Sequence, residues 1–238
     1  GNVYSSDFIR NFSYTGSRAI KPVVRVRYER RGPEFRGRIE AEGLKPNFAY
    51  QVKLRGDYQR DPRAFEIIGY AGRWRLPGRP TNYGDWHYQT YAVKSNVEAY
   101  LFFDFFVTDK MGRAAKDFKL DSTLHVLFNA NYQHRGSWLD TGYTRVVVET
   151  DDPRFYAITE PRARAYYIWA ESEKMPGRAS LGNVRLPAGF YQATLILTEE
   201  SFHSFGEGGF WATVFQLPVN FVIDNANPAT ASAPNPGY

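Results

Sequence analysis

The stretch Gly43 to Gly56, GLKPNFAYQVKLRG, alternates apolar and polar residues after a turn pinned by Pro46. Successive side chains of a strand point to opposite faces, so Tyr50, Val52 and Leu54 share one face while Gln51, Lys53 and Arg55 share the other. A later stretch, Leu186 to Thr198 (LPAGFYQATLILT), repeats the order of Leu, Pro, turn and Tyr before another alternating run. Both describe half-buried strands. With no helical period of useful length to compete, the expected fold class is all-β with little helix.

The rest of the chain extends the pattern. Val24, Val26 and Tyr28 alternate with Arg25, Arg27 and Glu29, Arg31-Gly32-Pro33 turns the chain, and Phe35, Ile39 and Ala41 alternate on the return, which predicts a hairpin. From Gly56 to Tyr88 the alternation breaks into Gly, Pro, Asn and Asp with Tyr70, Trp74, Trp86 and Tyr88 embedded, so a long loop folded over the core as a cap is expected. YLFFDFFV, Tyr100 to Val107, is apolar on both faces except at Asp104 and predicts a central buried strand, followed by a turn at Thr108 to Gly112. Short strands are expected at Leu124 to Phe128, Thr144 to Val148 and Tyr166 to Trp169. Phe190 to Thr198 and Phe210 to Ile223, joined by the Gly-rich loop Glu199 to Gly209, predict a terminal hairpin.

Composition narrows the function classes. Aromatic residues make up 17% of the chain, a bias that suits pleated sheets and contact surfaces. The net charge is +5, but Arg25, Arg27, Arg30, Arg31, Arg36 and Arg38 interleave with Glu29, Glu34, Glu40 and Glu42. That reads as a solvated sheet face with charges paired across strands. A nucleic-acid groove needs a stripe of one sign with stacking aromatics, so no nucleic-acid partner is expected. The absence of Cys excludes disulfides, thiolate zinc sites and cysteine nucleophiles. No apolar run approaches the roughly 20 residues of a membrane-spanning helix. A start at Gly1 without Met fits a processed, exported protein at an extracellular or cell-surface location, and equally a chain trimmed at its N-terminus.

Leu44-x-Pro46 followed by Tyr50-x-Val52-x-Leu54 resembles the tyrosine corner of fibronectin type III and immunoglobulin-like sandwiches, and Leu186-Pro187-x-Gly189-x-Tyr191 resembles it again. The resemblance implies that each Tyr hydroxyl bonds back to nearby backbone and fixes the passage of the chain between sheets. These stretches, with GYAGRW at Gly69 to Trp74, also look like those of secreted prokaryotic surface proteins. Only two strands precede Tyr50, too few to close a sandwich of the ordinary size, whereas one hairpin follows Tyr191. The expectation is therefore an enlarged antiparallel β-sandwich with long loops and extended termini. It would be a single domain over residues 22–224, the alternative being two tandem sandwiches divided near 110–120.

Candidate chemistry is sparse. His87, His125, His134 and His203 show no recognised metal spacing; Glu199, Glu200 and His203 share a loop, which makes Glu199 and His203 the candidates for a metal. Asp109, Asp117, Asp121, Asp151 and Asp152 lack the spacing of a calcium loop. Nucleophile-elbow, Walker and dinucleotide motifs are absent, so no catalytic residue, no cofactor and no enzymatic activity are expected. Trp74 and Trp86, with Arg73 and Arg75 nearby, could form a glycan-stacking platform or fold into the core. Asn11-Phe12-Ser13 is a glycosylation-type sequon, and Thr230 and Ser232 lie in a stalk-like tail.

The ends suggest a function. Residues 1–21 carry Phe8, Ile9, Phe12 and Tyr14, more aromatic character than an idle leader needs, and read as a docking segment. Residues 225–238 are a Pro/Ala-rich tail of polyproline type. The leading expectation is a structural subunit that binds copies of itself head to tail in an extracellular filament or surface layer, through its N-terminal strand or its tail. The alternative is a secreted carbohydrate-binding module with glycans as partners.

Overall fold

The computed structural model describes residues 22–45, 48–77, 84–90, 93–129, 144–147, 165–172, 184–200 and 211–224. The docking residues Phe8, Ile9, Phe12 and Tyr14, the corner Pro46, the candidate His203, the sequon and the C-terminal tail lie outside them. The described chain is mostly β. Its first strands are β1 (Val23–Tyr28), β2 (Arg31–Gly32), β3 (Arg36–Glu42) and β4 (Ala49–Gly56). A helix α1 (Pro62–Ala71), β5 (Arg73–Arg75), a short helix α2 (Asp85–Thr90), β6 (Glu98–Val107) and β7 (Ala114–Lys119) follow. β8 (Leu124–Asn129), β9 (Thr144–Val147), β10 (Ala165–Ser172), β11 (Gly189–Glu200) and β12 (Trp211–Ile223) complete the series.

These strands form a three-stranded sheet, β1-β3-β7, and a nine-stranded sheet in the order β2-β12-β11-β4-β6-β8-β10-β9, with β5 paired to β6. The hairpin expected at the start is present as β1 and β3, antiparallel with Val26 opposite Ile39. Its turn differs: Arg31 and Gly32 form β2, which lies parallel to the end of β12 in the other sheet. The two expected corner strands, β4 and β11, are direct antiparallel neighbours, with Leu54 opposite Leu195 and Val52 opposite Leu197. A division near residues 110–120 would part β4 from β11 and β3 from β7.

An aromatic seam joins the sheets. Phe35 stacks on Phe221 of β12 with centroids 4.3 Å apart and also meets Phe118 of β7 and Phe103 of β6. Beside it Lys116 of β7 reaches Asp104 of β6 at 3.3 Å, the one charge in the otherwise apolar stretch Tyr100 to Val107 of that strand. The turn after β6 is set by Asp109, whose side chain accepts from Met111 and Arg113 N–H groups. There Gly112 takes φ 71°, and a Cβ would come within 2.0 Å of the Leu44 carbonyl. Only glycine fits there.

The expected loop over residues 56–88 is corrected by α1 and α2. Asp61 caps α1 by accepting from Ala64 N–H at 2.9 Å, and Pro62 occupies the first turn. The other Asp61 oxygen accepts from Gln192 N–H on β11 at 3.0 Å, so the cap also fastens the helix to the sheet. Phe65 and Ile68 bury the helix face, and Gly56 allows the approach, since a Cβ there would lie 2.7 Å from Phe65 Cα.

Candidate functional site

Three polar or aromatic constellations stand out, and each grows from the strands just described. The first is at the corner before β4. Tyr50 is 1% exposed; its hydroxyl accepts from the backbone N–H of Lys45 at 2.9 Å and donates to Glu199 Oε1 at 2.8 Å. Lys45 Nζ holds the other oxygen, Glu199 Oε2, at 2.6 Å. Thr108 closes the same turn, taking the Phe48 N–H at 3.0 Å and donating to the Lys45 carbonyl. Burial, and after it the Glu199 carboxylate, push the Tyr50 hydroxyl well above its ordinary pKa, so it remains a proton donor.

The second corner is simpler. Tyr191 donates to the Pro187 carbonyl at 2.5 Å, while its ring stacks on Phe221 and lies under the Arg63 guanidinium. Burial raises its hydroxyl to about 12 against the opposing effect of Arg63. Both corner tyrosines thus bond back to backbone a few residues upstream, and Leu44 and Leu186 are buried beside them. Glu199 was expected in a loop; it lies in β11, and its two oxygens serve the corner. Among the described residues no group of three or more His, Asp or Glu could hold a metal.

The second constellation is aromatic. Trp74 is 3% exposed and stacks on Tyr88 at 3.7 Å and 4°, with Phe65 and Tyr70 around it and its indole N–H bonded to Asp85 at 2.7 Å. It is therefore a core residue, which corrects its place in the expected stacking platform: the hydrophobic faces of the two helices needed a large ring between them. Trp86 is 68% exposed on α2 and packs edge-on against His87. Arg75 pairs with Glu98.

The third lies on the other face of β4 and β11, where the alternation predicted a polar surface. Gln51 and Lys53 are buried instead. The Lys53 ammonium, on a residue 1% exposed, sits 5.1 Å from the Tyr100 ring centroid and 5.7 Å from that of Phe102. Gln51 and Thr198 are opposite each other in the register, and Gln51 Oε1 and Thr198 Oγ1 are buried without hydrogen-bond partners. Sequence reasoning missed this because period two assigns residues to faces but does not say whether a face is covered.

Fold and corners define a predominantly β chain of two sheets with tyrosines bonded into its turns. Compared with known family models, curated proteins and solved structures, the chain matches none. Among the described residues no helix is long and apolar enough to cross a membrane.

Proposed function

We propose that the chain is a non-enzymatic structural subunit of an extracellular filament or surface layer, joined head to tail by exchange of a strand or tail between subunits. Its scaffold, on this reading, is an enlarged antiparallel β-sandwich of the fibronectin type III or immunoglobulin-like kind. The Phe35, Phe103, Phe118 and Phe221 seam between the two sheets, and the two corner tyrosines, support that scaffold.

The observation that carries the assembly is a sheet edge with no strand partner among the described residues. Strand β1 ends the three-stranded sheet and has β3 as its only neighbour among the described residues. Exposed edges are usually blunted against association, whereas an assembly protein can use one for a strand from its neighbour. Deleting residues 1–21 and imaging both proteins by negative-stain microscopy tests this. Polymers from the full chain and none from the truncation support strand exchange through the N-terminus; a full chain that stays monomeric at all concentrations refutes assembly.

The exposed Trp86 favours a second reading, a carbohydrate-binding module. It requires a monomer whose Trp86 fluorescence responds to a glycan, and a response that survives Trp86→Phe would dismiss it.

A further inference from the structure

The edge of β1 has a donor and acceptor pattern that can be read from one hydrogen bond. The Glu29 N–H donates to the Arg36 carbonyl at 3.0 Å, and Glu29 and Arg36 continue the antiparallel register in which Tyr28 faces Gly37. Bonded pairs alternate along such a ladder, so Arg27 and Arg25 turn their backbone groups to β3 while Val24, Val26 and Tyr28 turn theirs outward. The side chains alternate in the opposite sense. Val24, Val26 and Tyr28 pack against the core, and Arg25 and Arg27 are exposed, with no ion pair among the described residues.

The neighbouring edges are closed or self-satisfied. At the rim of the large sheet, β12 donates from Val222 to Arg30 O, from Asp224 to Gly32 O and from Asn220 to the Tyr28 hydroxyl, and Pro218 has no N–H to offer. On β7, the other side of the small sheet, Asp117 pairs with Arg38 and Lys119 with Asp121. Of these three strands, β1 alone combines open backbone groups with charges that have no ion pair among the described residues. It also resists pairing with its own copy: an antiparallel β1–β1 contact centred on Val26 sets Arg25 against Arg27, and like charges directly opposite are destabilising.

We infer that this edge is the acceptor of the assembly, and that it takes residues 4–14 of a second copy as an added strand. The inference rests on the proposed self-association. Over those residues Tyr4, Phe8, Phe12 and Tyr14 fall on one side of an extended chain and Ser5, Asp7, Asn11 and Ser13 on the other. Laid beside β1, the aromatic side continues the row of Val24, Val26 and Tyr28, and Asp7 comes to the outward row of Arg25 and Arg27. Ser6 and Arg10 on the first side and Ile9 on the second depart from the pattern. Among the described residues nothing but β3 pairs with this strand; on the proposed self-association the occupant comes from a neighbour, and a strand that enters one subunit while belonging to the next makes an open, head-to-tail contact.

The chain has no native cysteine, which permits a clean cross-linking test. An affinity-tagged Arg27→Cys protein is mixed with untagged Ser5→Cys, Asp7→Cys, Asn11→Cys or Ser13→Cys protein, and with Phe8→Cys and Phe12→Cys as controls, then oxidised. The expected result is a disulfide between copies at one or two neighbouring polar-side positions and its loss at the Phe positions. Arg25→Glu with Arg27→Glu should weaken assembly at least tenfold, and adding Asp7→Lys should restore it. Disulfides within a single chain, tested by placing both cysteines in one copy at high dilution, would mean that the chain covers its own edge and overturn the inference. Filaments that form without any Arg27 cross-link overturn this acceptor while leaving assembly standing; a monomer by light scattering overturns both.

Discussion

Replacing Tyr50 by Phe removes one hydroxyl from the most heavily bonded corner of the molecule. That oxygen accepts the Lys45 N–H and donates to a carboxylate, within a residue that is 1% exposed. A hydrogen bond to a charged group contributes about 1.5–3 kcal/mol, and leaving a backbone N–H without a partner costs roughly 1 kcal/mol more. Glu199 keeps Lys45 as a partner, which limits the loss, so a destabilisation of about 2–4 kcal/mol is expected. For a chain of this size that corresponds to a fall in Tm of roughly 5–12 °C.

Tyr191→Phe is the internal control. Its hydroxyl donates to the carbonyl of exposed Pro187, which can turn to water, and has the Arg63 guanidinium beside it rather than a buried carboxylate, so about 0.5–1.5 kcal/mol is expected. Urea denaturation followed by circular dichroism measures both, and a double-mutant cycle of Tyr50→Phe with Glu199→Gln should give a coupling of about 1 kcal/mol or more. If Tyr50→Phe costs no more than Tyr191→Phe, or if the coupling vanishes, the corner is not held by the Tyr50, Glu199 and Lys45 contacts.

Other perturbations probe the remaining contacts. Trp74→Ala, which empties a stacked core site, should cost about 3–5 kcal/mol, whereas Trp86→Ala should stay within about 0.5 kcal/mol; equal thermal shifts would contradict their different burial. Gly69→Ala would drive a Cβ to 2.2 Å from the Trp74 ring, and a cost of about 1–3 kcal/mol is expected in chemical denaturation. Burial raises the Asp104 carboxyl above its ordinary pKa even though Lys116 opposes the shift. Such a group favours folding below its unfolded pKa of about 3.9 and loses that contribution as pH rises through the folded value. Asp104→Asn, neutral at every pH, should therefore gain on the parent protein between acid and neutral pH, and a stability difference that is flat or grows on acidification would count against it.

What the sequence determined was local and periodic. Alternation placed β1, β3, β4, β11 and β12, and a run apolar on both faces placed β6, because a strand's facing pattern is written in consecutive residues. The corner tyrosines were legible too, since each hydroxyl reaches a backbone group only four or five residues upstream. The helix α1 was also written locally, in the Asp61 cap, Pro62 and the buried pair Phe65 and Ile68, but Gly and Pro around it broke the apolar rhythm and hid it.

Tertiary structure alone decided the rest. That Glu199 serves the corner 149 residues away depends on β4 and β11 being neighbours, which no local signal encodes. That Lys53 and Gln51 are buried, Trp74 enclosed and β1 left at an edge depends on which element covers which face. Burial and edge position are properties of the assembled layers, and the same alternating strand can lie in the middle of a sheet or at its rim.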